Sequence, residues 1–136
     1  MNSISTIALS GMNAAARRLE VSASNVANVM STGALPNADG TVPAGAPRAY
    51  APLELVQTAS AGGGTQTTVT TATPSTIAVF DPQAPFANQN GLVAAPNVDL
   101  SQEMVGQMIA SYSFTANATV MRAFDRMTRT LLNITA

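Results

Sequence analysis

The chain has 136 residues, the length of one domain, and only 10% of them are charged, against about 25% in an ordinary soluble protein. The formal net charge is −1, so no global field draws the protein to nucleic acid or to an anionic membrane. His, Cys, Trp and Lys are absent. That composition excludes a thiolate nucleophile, an imidazole base, a lysine Schiff base, a Cys/His zinc centre and a lysine-bearing phosphate loop. The hydrophobic fraction is 46% with only 4% aromatics, so much of it is Ala and the core is expected to be thin. Neither an enzyme nor a cofactor- or metal-binding protein is expected.

Prolines and most glycines lie in residues 33–97, which divides the chain into helix, irregular or β-rich middle, and helix. The fold class expected is mainly α, with long terminal helices over 1–33 and 98–136 paired as a coiled coil around a middle region at 34–97. In the first helix Leu9, Met12, Ala16, Leu19, Ala23, Val26 and Met30 step alternately by three and four, a heptad seam of about 3.5 residues per turn. Ser3 is placed to cap its start and Gly33 its end, with Pro36 just beyond. A helix over 4–31 would be about 40 Å long and would need a partner along its seam.

The middle reads as short strands at 50–57 and 76–80, by residue type. Between them lie Gly62-Gly63-Gly64 and a Thr-rich run, read as a linker, though a hairpin across the glycines is compatible with the β propensity of Thr. Residues 34–48 read as an exposed loop and Asn90-Gly91 as a turn.

The last helix has Asp99 in the capping position with Gln102 three residues on. Val105, Ile109, Tyr112, Ala116, Val120, Ala123, Met127, Leu131 and Ile134 form its apolar stripe, with a period of about 3.67. Met104, Met108, Phe114, Met121 and Phe124 widen that stripe beyond what one partner helix covers, so part of it is expected to meet other chains. Asp125 and Arg129 are spaced to pair along the helix. The seven acidic residues are scattered, and only Asp99 and Glu103 stand one turn apart, which gives no facing carboxylate pair for cell-wall hydrolysis.

Two blocks carry a resemblance. Ser24-Asn25-Val26-Ala27-Asn28 followed by Thr32-Gly33 resembles the N-terminal signature of bacterial flagellar rod and hook proteins. Phe80-Asp81-Pro82, the run from Asn90 through Asn97 to Asp99, Glu103-Met104-Val105 and Ala116-Asn117 resemble the proximal rod members of that family. The sequence departs from the family pattern at Met30, after Gly33, and in the Thr-rich middle. The resemblance marks Asn25, Asn28, Thr32, Gly33, Asn97, Glu103 and Asn117 as motif residues. It implies a structural subunit of the proximal rod whose terminal helices stack with other copies and with neighbouring rod subunits into a torque-carrying tube. It also implies contacts with membrane-ring and rod-adaptor proteins, and passage through the flagellar type III export apparatus to a periplasmic rod. Residues 1–16 lack a basic start and a continuous apolar stretch, so export without a cleaved signal peptide is the expectation. Partners are therefore expected to be proteins, not nucleic acids or small substrates. The alternatives are another axial subunit of the same family and a stand-alone helical module dimerising through the Leu9–Met30 seam.

Overall fold

The computed structural model describes residues 2–37 and 39–134. Those residues form α1 (Asn2–Ala27), β1 (Leu53–Ala59), β2 (Thr65–Thr71), β3 (Thr76–Phe80), β4 (Leu92–Pro96) and α2 (Leu100–Ile134). The two helices lie antiparallel. Ser22 Oγ donates to the Glu103 carbonyl at 3.1 Å near one end, and Gly11 meets the Asn117 side chain towards the other. β1 and β2 form an antiparallel hairpin in the register Leu53↔Thr71 to Ala59↔Thr65. β3 and β4 form a second two-stranded sheet, Thr76↔Pro96 to Phe80↔Leu92. The mainly α class with a small β-rich middle is therefore the observed one.

Capping explains the start of α2. Asp99 Oδ1 accepts from the amides of Ser101 at 2.8 Å and Gln102 at 3.2 Å, satisfying two of the donors a helix start leaves free. The ends of α1 differ from expectation. The helix begins at Asn2, which puts Ser3 inside it, and stops at Ala27. There Asn28 directs both its amide and its Nδ2 to the Ser24 carbonyl, at 3.1 and 2.9 Å, and bonds of turn type follow at Val29 and Ser31. Gly33 is not a helix cap. It exchanges two backbone hydrogen bonds of 2.9 Å with Ala94, and a Cβ there would fall on the backbone of Pro47, Arg48 and Ala49. Glycine is required by that close approach.

The Thr-rich tract is not a linker. Residues 65–71 pair in full with β1, and the turn is closed by Ser60 N–H to Gly64 O at 3.1 Å. Gly63 and Gly64 supply the positive φ values of 85° and 84° that the turn needs. The first strand runs over 53–59, not 50–57, and residues 92–96 form a further strand, β4.

The buried apolar residues are Ala8, Ala14, Ala15, Val21, Ala34, Val93, Ala94 and Ala110. Small side chains hold most of the interior, and many of the large ones stand outside it. The chain exposes 9067 Å², where a compact monomer of this mass exposes about 6,700 Å².

Candidate assembly interface

The contact between the helices runs through small and polar residues. On α1, Gly11, Ala15, Arg18, Ser22 and Asn25 step by four, three, four and three. Gly11 receives the Asn117 amide, and Ala15 and Arg18 share a shallow cavity of about 230 Å³ with Ala110, Ser113 and Asn117 of α2. Asn117 is held in place by its own Nδ2 donating to the Ser113 carbonyl at 2.8 Å. A side chain at position 11 would push the axes apart, because the Asn117 amide already occupies that space.

The predicted seam lies one residue further along: Met12, Ala16, Leu19, Ala23 and Val26 each follow a residue of the observed contact line. One residue rotates a helical position by about 100°. The stripe from Leu9 to Met30 is consequently turned to the side, with Met30 84% exposed and Leu9 and Leu19 close to half exposed. Ala16 and Leu19 form one wall of an apolar groove whose other wall is Phe114. On α2 the predicted stripe is also outside: Val105, Ile109, Val120, Met127, Leu131 and Ile134 are exposed, Tyr112 is 77% exposed, and Ala116 and Ala123 are exposed beside them. Met12 and Val26 are half-buried, so the α1 stripe borders the line of small and polar residues between the helices, with most of its large side chains outside that line.

The motif residues fall into place around Asn25, which is 2% exposed. Its Nδ2 donates to the Leu53 carbonyl at 2.9 Å and to Glu103 Oε1 at 2.6 Å. Its Oδ1 accepts from the Leu53 amide at 2.8 Å and from the Tyr50 hydroxyl at 3.0 Å. The carboxamide thus pairs with Leu53 as a neighbouring peptide would, both giving and taking a hydrogen bond. One side chain ties the end of α1 to the first residue of β1 and the first turn of α2. Ser24 Oγ reaches the same Tyr50 hydroxyl at 3.0 Å. At the other end of the hairpin, Ser10 Oγ accepts from Thr65 N–H at 3.1 Å and donates to the Ile7 carbonyl at 2.7 Å. Arg18 Nη2 donates to Gln57 Oε1 at 3.1 Å between these two anchors.

Other motif residues are apart from this hub. Asn28 closes α1, and the Thr32 amide donates to the Met30 carbonyl at 2.9 Å. Gly33 docks on β4. Asn97 continues the β3–β4 ladder, its amide donating to Ser75 O and its Nδ2 to Pro74 O, both at 3.0 Å. Tyr50, Leu53 and Ser10 carry anchoring contacts that the sequence did not reveal. Among the described residues the ion pair is Arg17–Glu20 at 2.7 Å, so the pairing expected of Asp125 with Arg129 is not formed. The cavity between the helices has one ionisable lining residue, Arg18, already bonded to Gln57. No group in it is placed to act as nucleophile or base. No helix among the described residues is long and apolar enough to cross a membrane.

Comparison with known proteins identifies the family. Residues 6–34 match the family model described as flagella basal body rod protein. Residues 89–134 match that of the flagellar basal body rod FlgEFG protein C-terminal. The flagellar basal-body rod protein FlgC of Salmonella typhimurium is 35% identical over 128 residues, covering 89% of this chain and 87% of the relative. That of Yersinia enterocolitica is 36% identical over 122 residues, covering 85% and 83%. That of Buchnera aphidicola is 30% identical over 131 residues, covering 96% and 95%. With matched helices at both ends and relatives of this similarity over most of the chain, the chain belongs to the flagellar basal-body rod proteins, of the FlgC type, as a structural subunit of the proximal rod and not an enzyme.

Proposed function

We propose that the apolar stripes left outside the intramolecular contact are the surfaces through which this subunit enters the rod. Leu9, Met12, Ala16, Leu19, Ala23, Val26 and Met30 of α1 and its turn would meet neighbouring chains. So would Val105, Ile109, Tyr112, Ala116, Val120, Met127 and Leu131 of α2. In the assembled rod these stripes form coiled-coil seams between subunits, and the paired helices line the axial tube that transmits torque. The motif residues Asn25, Asn28, Thr32, Gly33, Asn97, Glu103 and Asn117 act within the subunit. They hold the two helices and the β-rich middle in one geometry, so that the stripes face their neighbours together.

One observation carries this reading: among the described residues the buried apolar ones are six alanines and two valines, while Leu9, Leu19, Met30, Ile109, Tyr112, Phe114, Met127 and Leu131 are 45–84% exposed. The exposed surface exceeds that of a compact monomer by about 2,400 Å². A standard interface takes about 800 Å² from each partner, so the extended shape leaves area for contacts with more than one neighbour. These neighbours are further copies, other rod subunits, and membrane-ring and rod-adaptor proteins at the ends of the proximal segment. Delivery to a periplasmic rod through the flagellar export apparatus completes the proposal. The test is Leu19→Asp. Leu19 is close to half exposed in the isolated chain, so the variant should fold as the wild type does and yet fail to enter basal bodies. Motility and incorporation at wild-type levels would refute the reading.

A further inference from the structure

Building on the rod-subunit reading, we propose that the outer edge of β3 pairs with the outer edge of β2 in a second copy of this chain, joining the two-stranded sheets of successive subunits. The backbone fixes which edges are open. Asp81 N–H donates to Gly91 O at 2.9 Å and Asn97 N–H to Ser75 O at 3.0 Å. In an antiparallel ladder alternate residues face the partner. Residues 75, 77, 79 and 81 therefore turn their backbone groups to β4, and Thr76, Ala78 and Phe80 turn theirs outward. The far edge of β4 is already closed: Ala94 exchanges two bonds with Gly33, and Leu92 is held by Asn88.

The same phase applies to the hairpin. Ala72 N–H donates to Pro52 O at 2.8 Å and Ser60 N–H to Gly64 O at 3.1 Å, so Thr67, Val69 and Thr71 of β2 face outward with Thr65. Thr65 is taken by Ser10. The outer edge of β1 is turned to the helices: Asn25 closes Leu53, Leu55 lines a cleft with Gly106, and Gln57 lines one with Ala110. Each sheet is thus left with one open edge of three alternating residues.

Neither open edge carries the usual protection. β2 reads Thr-Gln-Thr-Thr-Val-Thr-Thr and β3 Thr-Ile-Ala-Val-Phe, with no charge and no proline within the strands, although both are common guards of exposed edges. Phe80 is 70% exposed at the end of β3. Two-stranded sheets are marginal alone, and strand addition would make four strands of two plus two. The two edges are different surfaces, so the contact is head to tail and propagates, as a helical assembly requires. A second copy supplies a matching edge, three outward residues of β2 against three of β3, and the repeat of that match from copy to copy makes this chain the occupant.

The chain has no native cysteine, which makes cross-linking clean. Ala78→Cys and Val69→Cys mark the centre of each edge, where the strands meet whichever way they run. Oxidised basal bodies carrying both changes should yield disulfide-linked multimers extending beyond the dimer, and neither single variant should. A double variant that enters basal bodies and stays monomeric on a non-reducing gel overturns the proposal, as does cross-linking to a different protein. Ala78→Pro gives a second arm. Proline is tolerated where the strand N–H faces solvent, so this chain should fold with unchanged helix content while its amount in basal bodies falls at least tenfold. Normal incorporation of Ala78→Pro overturns the pairing. Absence of the wild-type chain from basal bodies would instead refute the rod reading, a separate result.

Discussion

Replacing Asn25 by alanine removes four hydrogen bonds at once: two with Leu53, one with Glu103 and one with Tyr50. Asn25 is itself 2% exposed, while Leu53, Tyr50 and Glu103 are half-buried, so water reaches part of the vacated site. At about 1 kcal/mol for each lost bond, towards the low end of the range for buried partners, the total is about 3–4 kcal/mol. With a urea slope of about 1.5–2 kcal/mol/M, the unfolding midpoint of the purified chain should drop by about 2 M. Asn25→Asp is the informative control. It keeps the shape and both acceptor contacts but cannot donate to Leu53, and it sets a carboxylate against that of Glu103, so it should cost at least as much as alanine. A midpoint shift below about 0.5 M for either change would refute the claim that one carboxamide couples α1, β1 and α2.

Gly33→Ala should destabilise by about 2 kcal/mol or more, read from the same urea curve, because its Cβ falls on backbone at 47–49 that has no free rotamer to yield. Gly11→Val should loosen the helix pair through the Asn117 amide, and a double variant with Asn117→Ala should recover part of the loss. Tyr112→Asp, at 77% exposure, should leave the urea midpoint unchanged and abolish incorporation into rods. In the loop at 39–41, Thr41 Oγ1 and N–H bond the Asp39 carboxylate at 2.6 and 2.9 Å and hold its pKa below the ordinary 3.8. A group with a depressed folded pKa favours the folded loop above its unfolded pKa and loses that contribution as pH falls through the folded value. NMR titration should place the Asp39 midpoint below 3.8, and Thr41→Val should move it up.

The long helices and their separation by a β-rich middle were legible because proline and glycine are confined between them and the apolar periods at each end are long. The site was legible only in part. Asn25 and Glu103 stood out in separate motifs, but they are 78 residues apart, and no local pattern says that one side chain bonds the other. The helix contact was misplaced by one residue for a physical reason. Periodicity in Leu, Met and Val marks where apolar surface must be buried, and in the proposed rod contact that place is between chains. The intramolecular contact is written in Gly11, Ala15 and Ser22, whose small size carries no hydropathy signal. The Thr-rich tract misled because low complexity resembles a linker, whereas its β-branched side chains and the positive-φ glycines beside it make a hairpin.

In the proposed rod the large apolar side chains excluded from the subunit interior are buried between subunits. A reconstruction of the basal-body rod containing this chain tests this burial most directly. Leu19, Met30, Tyr112 and Met127 are expected in contacts with neighbouring subunits, while Asn25 keeps its bonds to Leu53 and Glu103. A rod in which those four side chains face solvent or the lumen, with subunits joined elsewhere, would contradict it.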